Sequence, residues 1–162
     1  MTVDEARRRY LAEGNAKQAR KRVATNAIVR DEAGHVLLVD PGYKPDWDIP
    51  GGMAEANEPP AVAVRRELRE ELGVDVIVGA LLYLEWAPPH DPWDDQLVFL
   101  FDGGVFNDAD QRGLRIADDE LRAWEFVTVA EARNRLRPYV YDRLVAALGN
   151  LRSGQAAPYH ER

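Results

Sequence analysis

Three glutamates lie close together in one short segment of this chain, at Glu67, Glu70 and Glu71. Carboxylates gathered in one place repel each other and raise one another's pKa, so the arrangement is unfavourable unless a cation binds among them. Ligands that are all oxygen favour a hard divalent cation over zinc. The segment therefore predicts a site for Mg²⁺, or for Mn²⁺, of the kind that also attracts phosphate.

The residues around these glutamates predict a helix over residues 60–72. Proline suits the first turn of a helix, where its missing N–H loses no partner, and Gly73 suits the position just past the last turn. At about 100° per residue the glutamates share one stripe of the helix, and the adjoining stripe is apolar. We expect the apolar stripe to pack on a sheet; its residues are Ala61, Val64, Leu68 and Leu72.

Arg66 lies four residues before Glu70, close enough for an ion pair that orients this carboxylate. Taken alone, such a helix is more often a solvated face laced with Arg/Glu pairs. The approach over residues 47–52 argues against that alternative, because Gly51 and Gly52 allow a tight turn that exposes backbone carbonyls and amides to a ligand.

The same segment resembles the Nudix box of the Nudix hydrolases at every fixed position of that motif. With each residue type making up roughly one residue in fifteen, a chance match at all of them is on the order of one in ten million. One departure is Asn57, where the family commonly has glycine, and asparagine tolerates a left-handed backbone. The matching positions are Gly52, Glu58, Arg66, Glu67, Leu68, Glu70, Glu71, Gly73 and Val74.

The resemblance implies an α/β fold, specifically an α/β/α sandwich with a mixed β-sheet beside the glutamate-bearing helix. It also implies metal-assisted hydrolysis of the pyrophosphate linkage in a nucleoside diphosphate joined to another moiety. The family's acidic metal ligands are matched by Glu67, Glu70 and Glu71. Its backbone ligand is matched by the carbonyl of Gly51, and its orienting arginine by Arg66.

In many Nudix enzymes a further acid from a loop outside the box serves as general base or as an extra metal ligand. Asp118, Asp119 and Glu120 are the candidates here, and we favour Glu120. A loop of solvated acids is an equally good interpretation of this trio. Glu55 is also within reach of the site, and Glu58 matches a structural position of the family.

Composition limits the class of protein. A chain of 162 residues is one ordinary domain, long enough to bury a core without metals or disulfides, and it contains no cysteine. We find neither a membrane-spanning apolar stretch nor a signal-peptide core, so we expect a cytoplasmic protein without membrane contact. The net charge of −7 argues against stable nucleic-acid binding, because phosphate backbones are bound by excess Lys and Arg.

The basic residues concentrate in residues 1–22, which we interpret as a solvated N-terminal helix. A homodimer contact is an alternative use of this segment. We expect an N-terminal extension over residues 1–21, the catalytic domain over residues 22–150 and a flexible tail over residues 151–162.

Periodicity and turn signals predict the remaining elements. Residues 23–30 and 35–40 read as a hairpin, and a proline-rich loop covers residues 87–95. Further strands are predicted over residues 47–50, 74–86, 96–101 and 121–127, a polar loop over residues 107–112, a helix after the capping box at Thr128 and a last helix from Pro138 to about Leu148.

The box does not select the substrate. Tyr43, Trp47 and Trp93 are candidates for stacking on a nucleobase, although each is as readily explained by packing. An ADP-ribose or nucleotide-sugar type of substrate is the first hypothesis. Hydrolysis of modified nucleoside triphosphates is the second, and a non-catalytic module that senses a nucleotide is the third.

Overall fold

The computed structural model describes residues 2–162, within which the chain forms a seven-stranded sheet and five helices. Met1, the first residue of the expected N-terminal extension, lies outside the described residues. The strands are β1 (Arg22–Asp31), β2 (Val36–Pro41), β3 (Gly51–Met53), β4 (Leu81–Ala87), β5 (Gln96–Phe106), β6 (Leu121–Val127) and β7 (Tyr159–Glu161). The helices are α1 (Val3–Lys17), α2 (Pro60–Leu72), α3 (Asp108–Gly113), α4 (Val129–Arg135) and α5 (Pro138–Ser153).

The sheet is mixed, as expected. Its strand order is β6-β2-β1-β5-β4-β7, with β3 paired to β1 outside this path. The pairs β1–β5 and β4–β7 are parallel, and the other pairs are antiparallel. The predicted hairpin is present as β1 and β2, which pair through Arg30 and Val36. The central position of β1 brings β3 and the following helix to the middle of the sheet.

Helices cover both faces of the sheet. Because strand side chains alternate between faces, Ala27 and Val29 of β1 pack in one cluster with Leu68 of α2, whereas Ile28 packs in a second cluster with Leu144 of α5. Burying a side chain of leucine size contributes about 2 kcal/mol. These two cores hold α2 and α5 on opposite faces, which is the predicted α/β/α sandwich.

Helix α2 begins and ends where the sequence predicts. Pro59 is the N-cap, and Gly73 ends the helix in a left-handed conformation with φ 67°. The buried stripe differs from the expected one at a single position, since Ala63 is buried while Ala61 is exposed. Both alanines flank the same stripe, so the helix keeps the orientation that directs its glutamates to the edge of the core.

Two predicted strands are shorter or displaced. Residues 74–80 are irregular and β4 starts only at Leu81, because the chain at Gly79 runs against Asp102, whose carbonyl accepts the Gly79 N–H at 2.7 Å. Residues 47–50 do not form a regular strand. Trp47 and Asp48 make isolated bridges, and the strand next to the helix is β3.

The polar loop predicted over residues 107–112 is wrong, since Asp108–Gly113 forms the short helix α3. Asn107 caps this helix by accepting hydrogen bonds from the N–H groups of Ala109 and Asp110. The carboxylate of Asp110 in turn accepts the N–H of Asn107 at 3.0 Å. This reciprocal cap stabilises a helix of only 6 residues whose composition alone favours a loop.

The frayed tail expected at the C-terminus is also wrong. Helix α5 continues to Ser153, and Tyr159–Glu161 forms β7, which pairs in parallel with β4. The His160 ring stacks on Tyr83 at 4.4 Å between centroids, and the N–H of Arg162 donates to the Trp86 carbonyl at 3.1 Å. Pairing with an existing sheet edge orders a segment that lacks a strand pattern of its own.

Helix α1 is the exposed N-terminal helix that the basic segment predicts. It carries a capping box from Thr2 and Glu5, and none of its residues is buried. The homodimer contact considered for this segment stays a prediction, as does the division of the chain at residues 22 and 150. Within residues 2–162, no helix combines the length and apolar character needed to cross a membrane.

Candidate active site

The glycine loop, which comprises β3 and the turn that leads from it into α2, fits tightly because two of its residues, Gly51 and Gly52, lack a side chain. Gly51 has φ 141°, and a Cβ there would lie 2.1 Å from the Thr25 carbonyl oxygen. A Cβ on Gly52 would lie 2.4 Å from the Glu67 carboxyl carbon. Asn57 takes the left-handed conformation with φ 62°, as expected from the sequence. The loop thus lies directly against the glutamate stripe of α2.

Arg66 connects the loop to the helix. It donates to both carboxylate oxygens of Glu58 at 2.9 Å, and to the Met53 carbonyl at 3.1 Å. Its Nη1 also donates to Glu67 at 3.0 Å and to Glu70 at 2.9 Å, which includes the ion pair predicted from their spacing. The hydrogen bonds from Arg66 lower the pKa of Glu58 to about 2, and those from Glu58 raise the pKa of Arg66.

Glu71 is the most strongly perturbed acid of the site. Its burial, followed by the charges of Glu67, Asp118 and Asp48, raises its pKa to about 8, although the Gly51 N–H donates to it at 3.2 Å. Burial also raises the pKa of Glu67. Half-buried carboxylates that repel each other beside a glycine loop are characteristic of sites built for a function rather than for stability.

The donor chemistry of this group fits a hard divalent cation. Glu67, Glu70, Glu71 and the Gly51 carbonyl offer only oxygen, and a cation among them would offset the repulsion that raises the pKa of Glu71. Within residues 2–162, no three acidic, histidine or cysteine side chains already stand close enough to hold a metal ion. Since Arg66 holds Glu67 and Glu70, binding requires these side chains to reorient toward the cation.

A cleft of about 370 Å³ opens beside the glycine loop, with Gly51 and Gly52 in its wall. Five cationic side chains and one carboxylate, that of Asp48, line it, although the whole chain has a net charge of −7. Such a concentration of positive charge attracts an anionic ligand. The cations are Arg22, Lys44, Arg137, Arg143 and Arg162.

The cleft continues into a small cavity of about 40 Å³ that Glu71 and Glu120 line. Tyr43, Lys44, Asp48 and Gly51 belong to the walls of both. Three larger surface depressions, of about 590 Å³, 470 Å³ and 420 Å³, lie elsewhere and share no lining residue with the small cavity. Of the acids, Glu71 and Glu120 therefore connect with the cleft through the small cavity, whereas Glu67 and Glu70 line neither space.

The structure brings two of the three predicted stacking aromatics to the cleft. Tyr43 and Trp93 line it and are more than half exposed, and the Arg22 guanidinium lies 4.7 Å from the Trp93 ring centre. Trp47 is not among the lining residues. It packs against the core beneath α5, with the Arg135 guanidinium 4.6 Å from its ring centre.

Glu120 lies at the small cavity with its side chain exposed, and its carbonyl accepts the Gly42 N–H at 2.7 Å. Of the acidic trio, however, Asp118 is the residue whose charge raises the pKa of Glu71. Asp118 also accepts the backbone N–H of Glu120 at 3.0 Å. Glu55 stays exposed in the loop, where its N–H donates to Glu58 at 2.9 Å.

Sequence reasoning missed Asp48 and the arginines of the cleft. A usable signal existed for Arg143, which interrupts the apolar stripe of α5 between Val140 and Leu144. Glu85 likewise occupies a buried position in the apolar strand β4. Charged residues at buried positions are rarely unpaired, so the two could have been matched to each other from their patterns.

Comparison with protein families identifies the family to which the chain belongs. A model of the NUDIX domain matches residues 20–148, which is most of the chain. The chain belongs to the Nudix family. The similarity of the box at residues 52–74 thus extends over β1 to β6, over α2, α3 and α4 and over most of α5, while β7 lies outside the matched range.

Curated Nudix relatives match over shorter stretches. Diphosphoinositol polyphosphate phosphohydrolase 2 of Rattus norvegicus is 41% identical over 64 residues, which is 39% of this chain and 36% of the relative. The 8-oxo-dGTP diphosphatase of Proteus vulgaris is 53% identical over 36 residues, 22% of this chain and 32% of the relative. The chain thus spans about a third of the length of these curated relatives.

Solved structures share the fold. A UDP-X diphosphatase superposes with a TM-score of 0.72 at 16% identity, covering 98% of this chain and 76% of that one. The MutT protein from Methanosarcina mazei Go1 superposes with a TM-score of 0.67 at 22% identity, covering 85% and 99%. Identities this low support the Nudix α/β/α fold and leave the substrate open.

Proposed function

We propose that this Nudix protein is a metal-dependent hydrolase that cleaves the pyrophosphate linkage of a nucleoside diphosphate joined to another moiety, such as ADP-ribose or a nucleotide sugar. One observation carries the proposal. Glu71, which neighbouring acids repel, lines a small cavity that shares wall residues with a cleft in which five cations and two exposed aromatic rings face the same space. A cation would stabilise the repelling carboxylates, and an anion would stabilise the cationic side chains of the cleft. The two groups together suit a phosphoanhydride that binds with a metal ion.

The proposed metal ligands are Glu67, Glu70, Glu71 and the Gly51 carbonyl, with Glu120 as a further ligand from its loop. Mg²⁺, or Mn²⁺ in its place, would supply charge neutralisation of the pyrophosphate oxygens and acidification of the attacking water. Arg66, fixed on Glu58, orients Glu67 and Glu70. The arginines of the cleft bind phosphate oxygens and hold the substrate in place for attack.

A base must accept the proton of the attacking water. Glu120 keeps this role in our proposal, because it lines the same small cavity as Glu71 and its exposed carboxylate is free to turn toward it. Asp118 is the second candidate, since its charge already acts on Glu71.

Two alternatives follow from specific observations. The relative of Proteus vulgaris, named 8-oxo-dGTP diphosphatase, is 53% identical over 36 residues, which favours a modified nucleoside triphosphate as the second candidate substrate. A module that only senses a nucleotide would use the same cleft without turnover. Trp93 and Tyr43 are proposed to stack on the base in each case.

Turnover of a substrate panel tests the proposal. The panel contains ADP-ribose, nucleotide sugars, dinucleoside polyphosphates, capped RNA and normal or oxidised dNTPs, each assayed with Mg²⁺, with Mn²⁺ and with chelator. We expect products that contain a nucleoside monophosphate, formed only with divalent metal. The variant Glu71→Gln should abolish turnover, while the exposed Glu32→Gln should retain it.

Product identity separates the candidate substrates. Cleavage of ADP-ribose or a nucleotide sugar supports the first hypothesis for the substrate, whereas release of pyrophosphate from an oxidised dNTP supports the second hypothesis, a modified nucleoside triphosphate. Nucleotide binding without turnover of any panel member would contradict the hydrolase and favour the sensing module.

A further inference from the structure

Three guanidiniums surround one tyrosine ring in the wall of the cleft. Their Cζ atoms lie 5.0 Å, 5.0 Å and 4.5 Å from the centre of the Tyr139 ring, for Arg137, Arg143 and Arg162 respectively. All four residues line the cleft that Gly51 and Gly52 also line. Like charges gather around one ring at a cost, unless a counter-ion or a ligand offsets their repulsion.

One buried carboxylate fixes two of these arginines. Glu85, 2% exposed, accepts two hydrogen bonds from Arg143 at 3.0 Å and 2.6 Å and one from the Nε of Arg162 at 3.0 Å. The hydroxyl of Tyr83 donates to the same carboxylate at 2.8 Å. Because one carboxylate serves two guanidiniums, the cluster keeps excess positive charge. Its arginines are also held in fixed positions, which reduces the entropy lost on binding a ligand.

Some nitrogen donors of this arginine cluster have no hydrogen-bond partner among the described residues. Arg137 has a buried Nε for which the described part of the chain provides no hydrogen-bond partner. Its ion pair with Asp48 is long, at 3.6 Å. Among residues 2–162, the recorded side-chain bond of Arg162 uses only Nε, so both terminal nitrogens of this guanidinium are available. The buried Nε of Arg137 thus lacks an acceptor, and the partly exposed terminal nitrogens of Arg162 can bind one.

We propose that Arg137, Arg143 and Arg162 form a subsite for a phosphate group outside the pyrophosphate that is hydrolysed, so that the substrate is a nucleoside diphosphate derivative with an additional phosphate. The proposal rests on the proposed function, whose reacting phosphates lie at the box glutamates. Phosphate is the ligand chosen because several guanidiniums match its oxygens in geometry and charge. The subsite brings the end of β7 to the substrate cleft, since Arg162 directly follows this strand.

Binding of tripolyphosphate without metal tests the subsite independently of turnover. Isothermal titration in chelator would compare the wild type with Arg162→Met and with Arg152→Met, a matched control whose arginine is exposed on the last turn of α5. We expect Arg162→Met to weaken binding about tenfold or more, as loss of charge-assisted hydrogen bonds does. Arg152→Met should bind within about twofold of the wild type, and Arg162→Lys should fall between, because it keeps the charge without the fork.

A second variant separates recognition from the folding of β7. Arg137 lies at the start of α5 rather than on β7, and Arg137→Met should weaken tripolyphosphate binding to a similar degree. Unchanged affinity in both Arg162→Met and Arg137→Met would overturn the subsite. Loss of affinity in Arg162→Met alone would mean that the arginine acts by holding β7, which also overturns it.

Kinetics with a substrate from the panel give a further readout. For a substrate that carries an additional phosphate, Arg162→Met should raise KM about tenfold and leave kcat within about threefold. Tripolyphosphate binding that depends on the arginines, in a protein that turns over nothing, would contradict the proposed hydrolase while leaving the subsite intact. Turnover in a protein whose arginine variants bind tripolyphosphate as tightly as the wild type would contradict the subsite and leave the proposed hydrolase intact.

Discussion

The guanidinium of Arg66 meets the carboxylate of Glu58 in a two-point ion pair, with both N···O distances at 2.9 Å. This pair joins the loop to α2 and leaves the Nη1 of Arg66 to hold Glu67 and Glu70. Glu58 itself does not contact these acids through any recorded bond within residues 2–162. Its charge helps to raise the pKa of Glu67, and it orients both acids through Arg66.

Glu58→Gln should weaken metal binding rather than destabilise the fold. A glutamine loses the charge that fixes Arg66, and partners that orient metal ligands typically contribute 10- to 100-fold in metal affinity or activity. We expect the Mg²⁺ concentration for half-maximal turnover to rise about tenfold in a metal titration. Glu32→Gln, at an exposed turn, should leave it unchanged. An unaltered titration in Glu58→Gln would show that Arg66 orients the ligands without its help.

Replacing the carboxyl of Glu71 should separate stability from activity. With a pKa of about 8 this carboxyl must take up a proton on folding at neutral pH, and Glu71→Gln removes that cost, so the metal-free variant should unfold at a free energy equal to or about 1 kcal/mol above that of the wild type. Turnover should fall by about a thousandfold or more, as expected for a metal ligand. Thermal unfolding in chelator and steady-state rates give the two quantities. A clear loss of stability would mean that Glu71 is structural.

The same assays decide the general base. Glu120→Gln and Asp118→Asn should each be compared with Glu71→Gln at saturating metal. We expect Glu120→Gln to lower kcat about a hundredfold, within the range for loss of a general base. Wild-type turnover in Glu120→Gln, with activity lost in Glu71→Gln, would refute the assignment of the base to Glu120. A deficit confined to Asp118→Asn would transfer the role to that residue.

The parts of the site that the sequence predicted are those made within one segment. Helix α2, the Arg66–Glu70 pair and the left-handed Asn57 follow from local rules of spacing, capping and backbone preference. The sheet strands on which α2 packs were found for the same reason, since alternation and turns are local patterns.

The parts that were missed depend on distant segments. Asp48 acts on Glu71 from a separate loop, and no periodicity relates the two residues. Arg162 reaches the cleft only because β7 pairs with β4. A short polar segment carries no pattern that predicts this pairing. Helix α3 was missed for a different reason, because a polar helix of 6 residues with no buried side chain leaves no apolar periodicity in the sequence.

The two glycines of the loop should respond differently to an added methyl group. At Gly51 the Cβ would meet backbone, 2.1 Å from the Thr25 carbonyl oxygen, in a conformation that favours glycine. At Gly52 it would meet the end of the Glu67 side chain, at 2.4 Å. We expect Gly51→Ala to destabilise the fold by about 3 kcal/mol.

Gly52→Ala should instead displace Glu67, leave stability within about 1 kcal/mol and lower turnover strongly. Denaturant unfolding and kcat measured on both variants provide the comparison. Gly14→Ala is the control, since nothing lies within 4 Å of a Cβ there. Equal stability losses at Gly51 and Gly52 would contradict the difference between the two obstacles.

The buried pair of Glu85 and Arg143 should make the fold sensitive to acid. Burial alone would raise the pKa of Glu85, but the hydrogen bonds from Arg143, Tyr83 and Arg162 outweigh it and hold the pKa below its ordinary value of 4.5. A carboxyl with a lowered pKa stabilises the fold above its unfolded pKa, and this contribution is lost as the pH falls through the folded pKa.

Glu85→Gln should therefore cost about 3 kcal/mol at pH 7, because it leaves two guanidiniums without their carboxylate. The difference from the wild type should shrink steadily as the pH falls below 4.5, the ordinary pKa at which the carboxyl of the unfolded chain takes up its proton, and through the lower pKa of the folded state. Urea unfolding across this pH range measures it. Glu125→Gln, which removes an exposed ion pair with Arg135, should cost under about 1 kcal/mol. A Glu85→Gln deficit that stayed constant down to pH 3 would show that packing, rather than charge, makes Glu85 stabilising.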